Sequence, residues 1–392
     1  MASLSPTGIY VTSPLAAVYY GASSLTRAIP ESLARFGTKR AFIVTGNSIS
    51  KGPLLGKVKE LLGDTYVGVN TGIGQHAPIA GIQKAAEDVL AAQADTLIAL
   101  GGGSPIDASK AIKYFQHQAH PTLPWLNILV IPTTLSNADT TQNAGYTNSE
   151  GHKVAVSAPE LCPQVIVYDA LMSLETPHRL WLSSGMRSVD HAVETLYRRD
   201  VPPPVLATAL QALPMLFRYL IESHDDPASI PAREQLQIAC WLSLYPNPRP
   251  GSVGLSHGLG HALGATYAIP HGITSCLTLA ASCAQVARFT QPEFQALLSE
   301  ALKRVESSVP NLPARSTRFD AASDAQLPQG AQDGVKLAGY IDALVQRLGL
   351  ASTLREYGLQ EKDFESIVVN GHGDVNPDVP KEEVLGIVRS IW

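Results

Sequence analysis

The chain lacks most of what would mark a secreted, membrane or nucleic-acid-binding protein. Of its 392 residues only four are cysteine (Cys162, Cys240, Cys276, Cys283), and they are scattered without a CxxC pair. That pattern excludes a disulfide framework and a thiolate zinc site, and a reducing compartment is the simplest expectation. No uninterrupted apolar stretch is long enough to span a bilayer. The opening residues, MASLSPTGIYVTSPLAAVYYG, have no basic segment followed by a continuous apolar one. The expectation is therefore a cytoplasmic protein with no leader and no membrane partner. Charge is sparse as well, at 16% of residues and a formal net −5. Such a balance has nothing to attract nucleic acid, although it leaves room for a local basic pocket that takes a small anion. What is present is apolar mass: 45% of residues are hydrophobic, enough to offset chain entropy. The length exceeds that at which one core usually keeps growing, so two domains are expected.

The texture divides in the same way. Up to about residue 172, short β-branched runs alternate with amphipathic stretches, the pattern of a parallel sheet built from βαβ units. Strands are predicted at 40–46, 65–70, 95–103, 127–134 and 164–170, with helical periodicity between them. GIGQHAP (72–78) reads as a turn. Beyond Asp169 the β-branched runs give way to Ala/Leu-rich helical patterns. The predicted domains are 1–172, α/β, and 173–392, all-helical. VPPP (201–204) and YPNPRPG (245–251) read as inter-helix connections, and the polar stretch 312–334 as a surface loop.

The strongest single motif is LIALGGGSPIDASKAIK (97–113), a buried strand, then Gly101, Gly102, Gly103 and Ser104, then a helix opened by Pro105. Consecutive glycines admit positive φ and close backbone approach. The new helix adds unsatisfied N–H groups and a positive dipole end, so the motif predicts a phosphate cradle. Asp107 and Lys110 lie one turn apart on this helix, either as a solvated ion pair or as groups that order the turn and touch the cofactor. The motif is neither GxGxxG nor a Walker sequence. After the first strong strand stands Gly46, where many NAD-binding folds place a carboxylate for the adenosine ribose. With no like charge to repel a 2′-phosphate, NADPH is favoured over NADH, although Gly46 would equally serve as a simple turn residue.

The second half carries SSGMRSVDHAVETLY (183–197) and SHGLGHALGATYAIPHG (256–272). His257 and His261 share one helix face, His271 follows behind a proline, and His191 comes from a separate helix. A single histidine is more often a satisfied core or surface residue. Imidazoles gathered on neighbouring helices bind metal or relay protons.

At this point the chain resembles the iron-containing, group III alcohol dehydrogenase family over nearly its full length. The carriers are GGGSPIDASK, IPTTLSNADTTQNAGYTN (131–148), the GMRSVDHAVETLY helix and HGLGHALGATYAIPHG. The resemblance implies a dehydroquinate synthase-like fold, with an amino-terminal parallel-sheet domain binding the nicotinamide cofactor, an all-helical carboxy-terminal domain, the active site in the cleft between them, and a homodimer. It places Thr133, Thr134 and Asn137 with the cofactor residues and Lys153 near the cleft. The family's three histidine ligands correspond to His191, His257 and His271, and a further histidine near the nicotinamide to His261.

The departure is at the aspartate ligand. Metal-binding members read GMDxxxHAIE, whereas this chain reads GMRSVDHAVE, with Arg187 at the aspartate position. A guanidinium cannot ligate a cation and stays protonated. Asp190 directly precedes His191 and points about 100° away around the helix, which makes it a poor substitute ligand. No metal is therefore expected. The chain is similar in several stretches to the metal-independent maleylacetate reductases, which have Asn at that position: QHAP, VIVYDALMS, HAVETLY and VNPDVPKEEVLGIVRSIW.

The expected function is reduction by NAD(P)H of a C=C or C=O bond in an anionic, oxo-acid-like small molecule. Arg187 would stabilise developing negative charge or clamp a carboxylate, with His191, His257, His261 and His271 as donors and general acids. Tyr267 is a lesser candidate donor, and pairing of Arg187 with Asp190 or Glu194 is the plainer alternative. Three further readings remain open: a non-redox lyase, dehydratase or cyclase on the same fold; a metal-dependent alcohol dehydrogenase using three histidines; and a cofactor-retaining binding protein.

Overall fold

In a computed structural model, residues 12–245, 254–372 and 378–392 are described. Among them the chain divides into two compact units, one ending at Pro177 and the other beginning at His178. The predicted connection YPNPRPG, apart from Tyr245, lies outside the described residues.

The first unit contains strands β1 (Ala17–Tyr20), β2 (Ala41–Val44), β3 (Tyr66–Asn70), β4 (Thr96–Gly101), β5 (Asn127–Pro132), β6 (Asn143–Thr147), β7 (Lys153–Ser157) and β8 (Val165–Tyr168). Its helices are α1 (Leu25–Phe36), α2 (Asn47–Ser50), α3 (Pro53–Leu62), α4 (Ile79–Ala91) and α5 (Gly103–Ala119). Six strands form one sheet in the order β1-β8-β5-β4-β2-β3, every pair parallel. The register runs Thr96↔Asn127 through Gly101↔Pro132 between β4 and β5. Alternation of side chains across the pleat gives the sheet two cores. Phe42, Val44, Leu97, Ala99, Ile128 and Val130 pack on one face with Ile82 and Val89 of α4 and Ile106 and Ile112 of α5. Ile43, Ile98, Leu100, Leu129 and Ile131 pack on the other with Ile29 of α1 and Val58 of α3.

Three expectations are corrected in this unit. AVYY forms β1, unmarked in the sequence because four residues are too few to show a period. The segment between β5 and β8 contains an antiparallel hairpin, β6 with β7. The predicted strand 95–103 stops at Gly101, because Gly102 and Gly103 turn the chain into α5.

The second unit is helical: α6 (His178–Leu196), α7 (Pro203–Asp225), α8 (Ile230–Ser243), α9 (Leu255–Tyr267), α10 (His271–Phe289), α11 (Pro292–Ser308), α12 (Gln329–Arg347), α13 (Phe364–His372) and α14 (Lys381–Ser390). α6 is buried from Trp181 to Leu196 apart from Arg187, and α10 is buried over most of its length, so these two form the centre. α7 is apolar and long enough to cross a membrane by composition, yet most of its apolar window is buried among its neighbours. The predicted loop 312–334 ends earlier than expected, since α12 begins at Gln329 behind Pro328. Two glycines there look like loop residues but serve packing. A Cβ on Gly334 would lie 2.5 Å from that of Ala287 on α10, and one on Gly330 would lie 2.9 Å from Gln295 Cβ on α11.

Candidate active site

In the first unit, the cofactor candidates gather at the carboxyl ends of β4 and β5. Gly101 has φ +138, which a side chain rarely adopts. A Cβ on Gly102 would meet Thr134 Cγ2 at 3.1 Å and Oγ1 at 3.2 Å, so a side chain there would press on Thr134. Gly102 precedes α5 in extended conformation and offers no side-chain cap, which leaves the first N–H groups of that helix pointing outward. Beside it Thr134 Oγ1 is buried with no hydrogen-bond partner among the described residues. Thr133 is held in place, its N–H bonding Gly101 O and its carbonyl accepting from Thr176. Asn137 is buried at φ +59 and its carbonyl receives both Thr140 N–H and Thr140 Oγ1. Gly46 sits at the end of β2 as the extended residue before α2.

Lys110 is the residue whose environment differs most from a solvated pair. Its side chain is wholly buried, and Nζ donates to Ala138 O, to Thr141 Oγ1 at 3.0 Å and to Asn143 O at 2.8 Å. All three ammonium protons are thus spent on ordering the segment between β5 and β6. Asp107 stands 3.6 Å from Nζ. Burial pushes its carboxyl up to about 6, against Lys110, a backbone hydrogen bond from Gly145 and the charge of Lys153. Ser104 Oγ accepts the backbone N–H of His76.

In the second unit, His191, His257, His261 and His271 form a chain of rings. Centroid separations are 4.7 Å between His191 and His257, 6.5 Å between His257 and His261, and 6.1 Å between His261 and His271. Glycines on α9 allow this. A Cβ on Gly264 would stand 3.4 Å from His271 Cε1, and one on Gly260 would stand 2.9 Å from Thr274 Oγ1 and 3.9 Å from Arg187 Nη1. Tyr267 has turned aside to Asp363, which together with burial raises its phenol above the ordinary value.

Behind the rings lies a buried ionic network that the sequence reading did not assemble. His257 Nδ1 is 2.7 Å from Glu194 Oε2 and 3.2 Å from Asp190 Oδ1. Both contacts are ion pairs when the imidazole is protonated. Glu194 accepts the N–H groups of Gly254, Ser256 and His257 and so caps α9. Asp190 Oδ2 accepts from Ser256 Oγ at 3.0 Å and Ser275 Oγ at 2.6 Å. The sequence shows only that Asp190 and Glu194, spaced i, i+4, share one face of α6; the partner on α9 is not local to them. Arg187 Nη1 is 3.9 Å from Asp190 Oδ2 and donates to Ser275 Oγ at 3.3 Å. That is the guanidinium's only hydrogen bond among the described residues, and 12% of the side chain remains exposed.

Charges in this network act on one another. Burial and Arg187 press the His257 imidazole toward neutrality, but Asp190 and Glu194 outweigh them and hold its pKa above the usual value. Burial, then His257 and Arg187, drive His191 well below it. The Asp190 carboxyl is raised by burial, yet His257 and Arg187 bring it below its ordinary range. Burial lowers Arg187, although a guanidinium remains charged. Cys276 and Cys283 are pushed up to about 12 by burial, so neither supplies a thiolate.

A family model described as "Iron-containing alcohol dehydrogenase" matches residues 16–170, and one described as "Fe-containing alcohol dehydrogenase family, C-terminal" matches 181–391. The chain belongs to the iron-containing alcohol dehydrogenase family. It is an NAD(P)-dependent oxidoreductase. A dehydrogenase of Alternaria alternata is 28% identical over 91% of this chain and 99% of its own. A maleylacetate reductase of Rhizobium sp. is 31% identical over 71% of this chain and 75% of its own. The crystal structure of maleylacetate reductase from Rhizobium sp. superposes with a TM-score of 0.79, covering 99% of this chain and 98% of that one at 23% identity. A 1,3-propanediol oxidoreductase structure gives 0.83, covering 98% and 100% at 21% identity, a likeness of fold.

The family name raises the question of iron. Asp190, Glu194 and His257 offer three ligand-type atoms within 4.8 Å of one another. In this protein those carboxylates already accept three backbone N–H groups and two hydroxyls, and a guanidinium and an imidazole neutralise them. The donor set is that of an ion-pair network, and it fits a divalent cation poorly. The cofactor cradle differs, because its uncapped helix, its close-approach glycine and the orphaned Thr134 hydroxyl fit a dinucleotide phosphate.

Proposed function

We propose that this chain is a metal-independent NAD(P)H-dependent reductase of an anionic oxo-acid-like small molecule, in the manner of the maleylacetate reductases to which it is similar. The observation that carries the reading is Arg187: a guanidinium with five N–H donors makes one hydrogen bond among the described residues and keeps part of its surface open. Spare donors of a fixed cation, at the position where family members hold a metal ligand, favour a substrate carboxylate or an oxyanion as it forms.

The bound cofactor would supply a hydride, and Gly101, Gly102, Gly103, Ser104, Thr133 and Thr134 would hold it. Gly46, with no carboxylate side chain, favours NADPH. The substrate's negative charge rests on Arg187, which Asp190 and Ser275 keep in place. The carboxylates behind His257 favour its protonated form and so present a proton at Nε2, the ring atom turned away from them. His191, held neutral, adds no charge to repel a cationic neighbour. His261 and His271 complete the polar surface around the same point.

The test is loss of reduced-nicotinamide absorbance when the purified protein is offered maleylacetate and related oxo acids, with and without excess chelator. Oxidation that requires an anionic substrate and ignores the chelator is expected. Conversion of a substrate with no net oxidation of cofactor would overturn the redox reading, and activity restored only by added iron or zinc would overturn metal independence.

A further inference from the structure

The turn 72–78, seen in the sequence only as GIGQHAP, carries an unusual conformation. His76 has φ +64 and Ala77 φ +48, two consecutive left-handed residues of which neither is glycine. Such a conformation is costly for a residue with a side chain and persists only where surrounding contacts impose it. Here they do. Ser104 Oγ accepts the His76 N–H at 3.0 Å. Thr147 Oγ1 donates to His76 O at 3.2 Å, and Thr147 N–H donates to Ala77 O at 3.2 Å. Pro78 makes a bridge to the same threonine. The ring does something further: its Nδ1 lies 2.8 Å from Nζ of Lys153, the first residue of β7. His76 therefore ties the serine of the phosphate turn, through its backbone, to a lysine of the hairpin, through its ring.

We propose that His76 is a positioning residue for cofactor binding, holding the Lys153 ammonium so that it meets the phosphate–ribose portion of the bound dinucleotide. The inference rests on the cofactor reading of the glycine turn and adds to it a residue and a role. An ammonium beside an imidazole must donate to its lone pair, so His76 serves as a neutral acceptor at Nδ1. Burial and then Lys153 lower its pKa to about 4, in keeping with that role. The strained backbone explains why the ring reaches Lys153 at all: in the left-handed conformation the chain turns so that N–H and ring face different neighbours. Lys110, on the same helix as Ser104, has all its protons committed within the fold. The charge of Lys153 also reaches Asp107, where it acts against the effect of burial on that carboxyl.

The test is equilibrium titration of the full chain with NADPH and NADH, followed by nicotinamide fluorescence, for wild type, His76→Gly, His76→Asn, Lys153→Met and the His76→Gly/Lys153→Met double variant. Glycine suits the left-handed backbone, so His76→Gly should melt no lower than wild type while binding both dinucleotides about tenfold more weakly, the order expected for one charge-assisted hydrogen bond. Lys153→Met should lose as much, and the double variant no more than either, because His76 acts through Lys153. Asparagine tolerates the same backbone and keeps an acceptor, so His76→Asn should bind within a few-fold of wild type. Wild-type affinity in both His76→Gly and Lys153→Met, or strictly additive losses in the double variant, would overturn the proposal. Absence of dinucleotide binding by wild type would instead overturn the cofactor reading, and this proposal with it.

Discussion

At the glycine turn of the first unit, positive potential comes from backbone: uncapped N–H groups at the start of α5, approachable because Gly102 has no Cβ. In the helical unit it comes from a side chain, Arg187, set 3.9 Å from the buried Asp190 carboxylate and within the field of Glu194. The two motif cations make the contrast concrete. Lys110 has spent every proton on backbone and hydroxyl acceptors and works as a structural pin. Among the described residues Arg187 has spent one of five. Both are cations in recognisable motifs, and only the count of remaining donors separates a group that holds the fold from one available to a ligand.

The largest effect should follow removal of the second cation. Arg187→Met is expected to lower kcat by about 10²–10³-fold, as loss of a preorganised oxyanion donor does, and to cost about 3–5 kcal/mol in urea unfolding because two buried carboxylates lose a partner. If kcat and stability both stay at wild-type levels, the guanidinium is an ordinary surface group and the contrast with Lys110 disappears. Glu194→Ala comes next. It orphans the N–H groups of Gly254, Ser256 and His257 and should cost about 3 kcal/mol in the same measurement, while Glu194→Gln, which keeps an acceptor, should cost less. Gly102→Val sharpens the other side of the comparison: crowding against Thr134 should cost about 1–3 kcal/mol and weaken dinucleotide binding in fluorescence titration, leaving the helical unit intact.

The smallest effect is on acid stability. His76 has its folded pKa lowered to about 4, so between that value and the ordinary one near 6.5 the unfolded chain binds more protons than the folded one. The stability tied to His76 is therefore fully present at neutral pH and is lost as pH falls through that window. Asp107, raised to about 6, runs the other way, losing stability as pH rises from its ordinary value toward 6. Comparing wild type with His76→Asn cancels the Asp107 contribution. The drop in urea midpoint from pH 7 to pH 5 should be smaller in the variant, and an equal drop would show that His76 is not held neutral.

The sequence made some of this legible and hid the rest for identifiable reasons. The parallel sheet could be read because β4, β5 and β8 are continuous apolar runs buried on both faces. The hairpin of β6 and β7 could not, since NAGYT and KVAVS are half exposed and show no clean period. His257, His261 and His271 were visible as a cluster because their spacing on α9 and α10 is local. The carboxylates behind them were not seen as partners of His257, because the pairing crosses from α6 to α9, a separation of more than sixty residues that no local pattern encodes. Lys110 shows the limit most plainly: one turn of helix from Asp107 it reads either as a solvated pair or as a group that orders the turn and touches the cofactor, and only the fold of residues 138–143 around its ammonium reveals a buried pin.

The central claim is that a fixed guanidinium stands in place of a bound cation, and metal content of active protein tests it most directly. Protein purified without chelator should carry iron and zinc far below one ion per chain by elemental analysis and turn over at an undiminished rate in excess EDTA. Arg187→Asp should then gain divalent-metal affinity while losing the native reaction. One equivalent of iron or zinc per wild-type chain, released together with activity when His257 is replaced by Ala, would contradict the account.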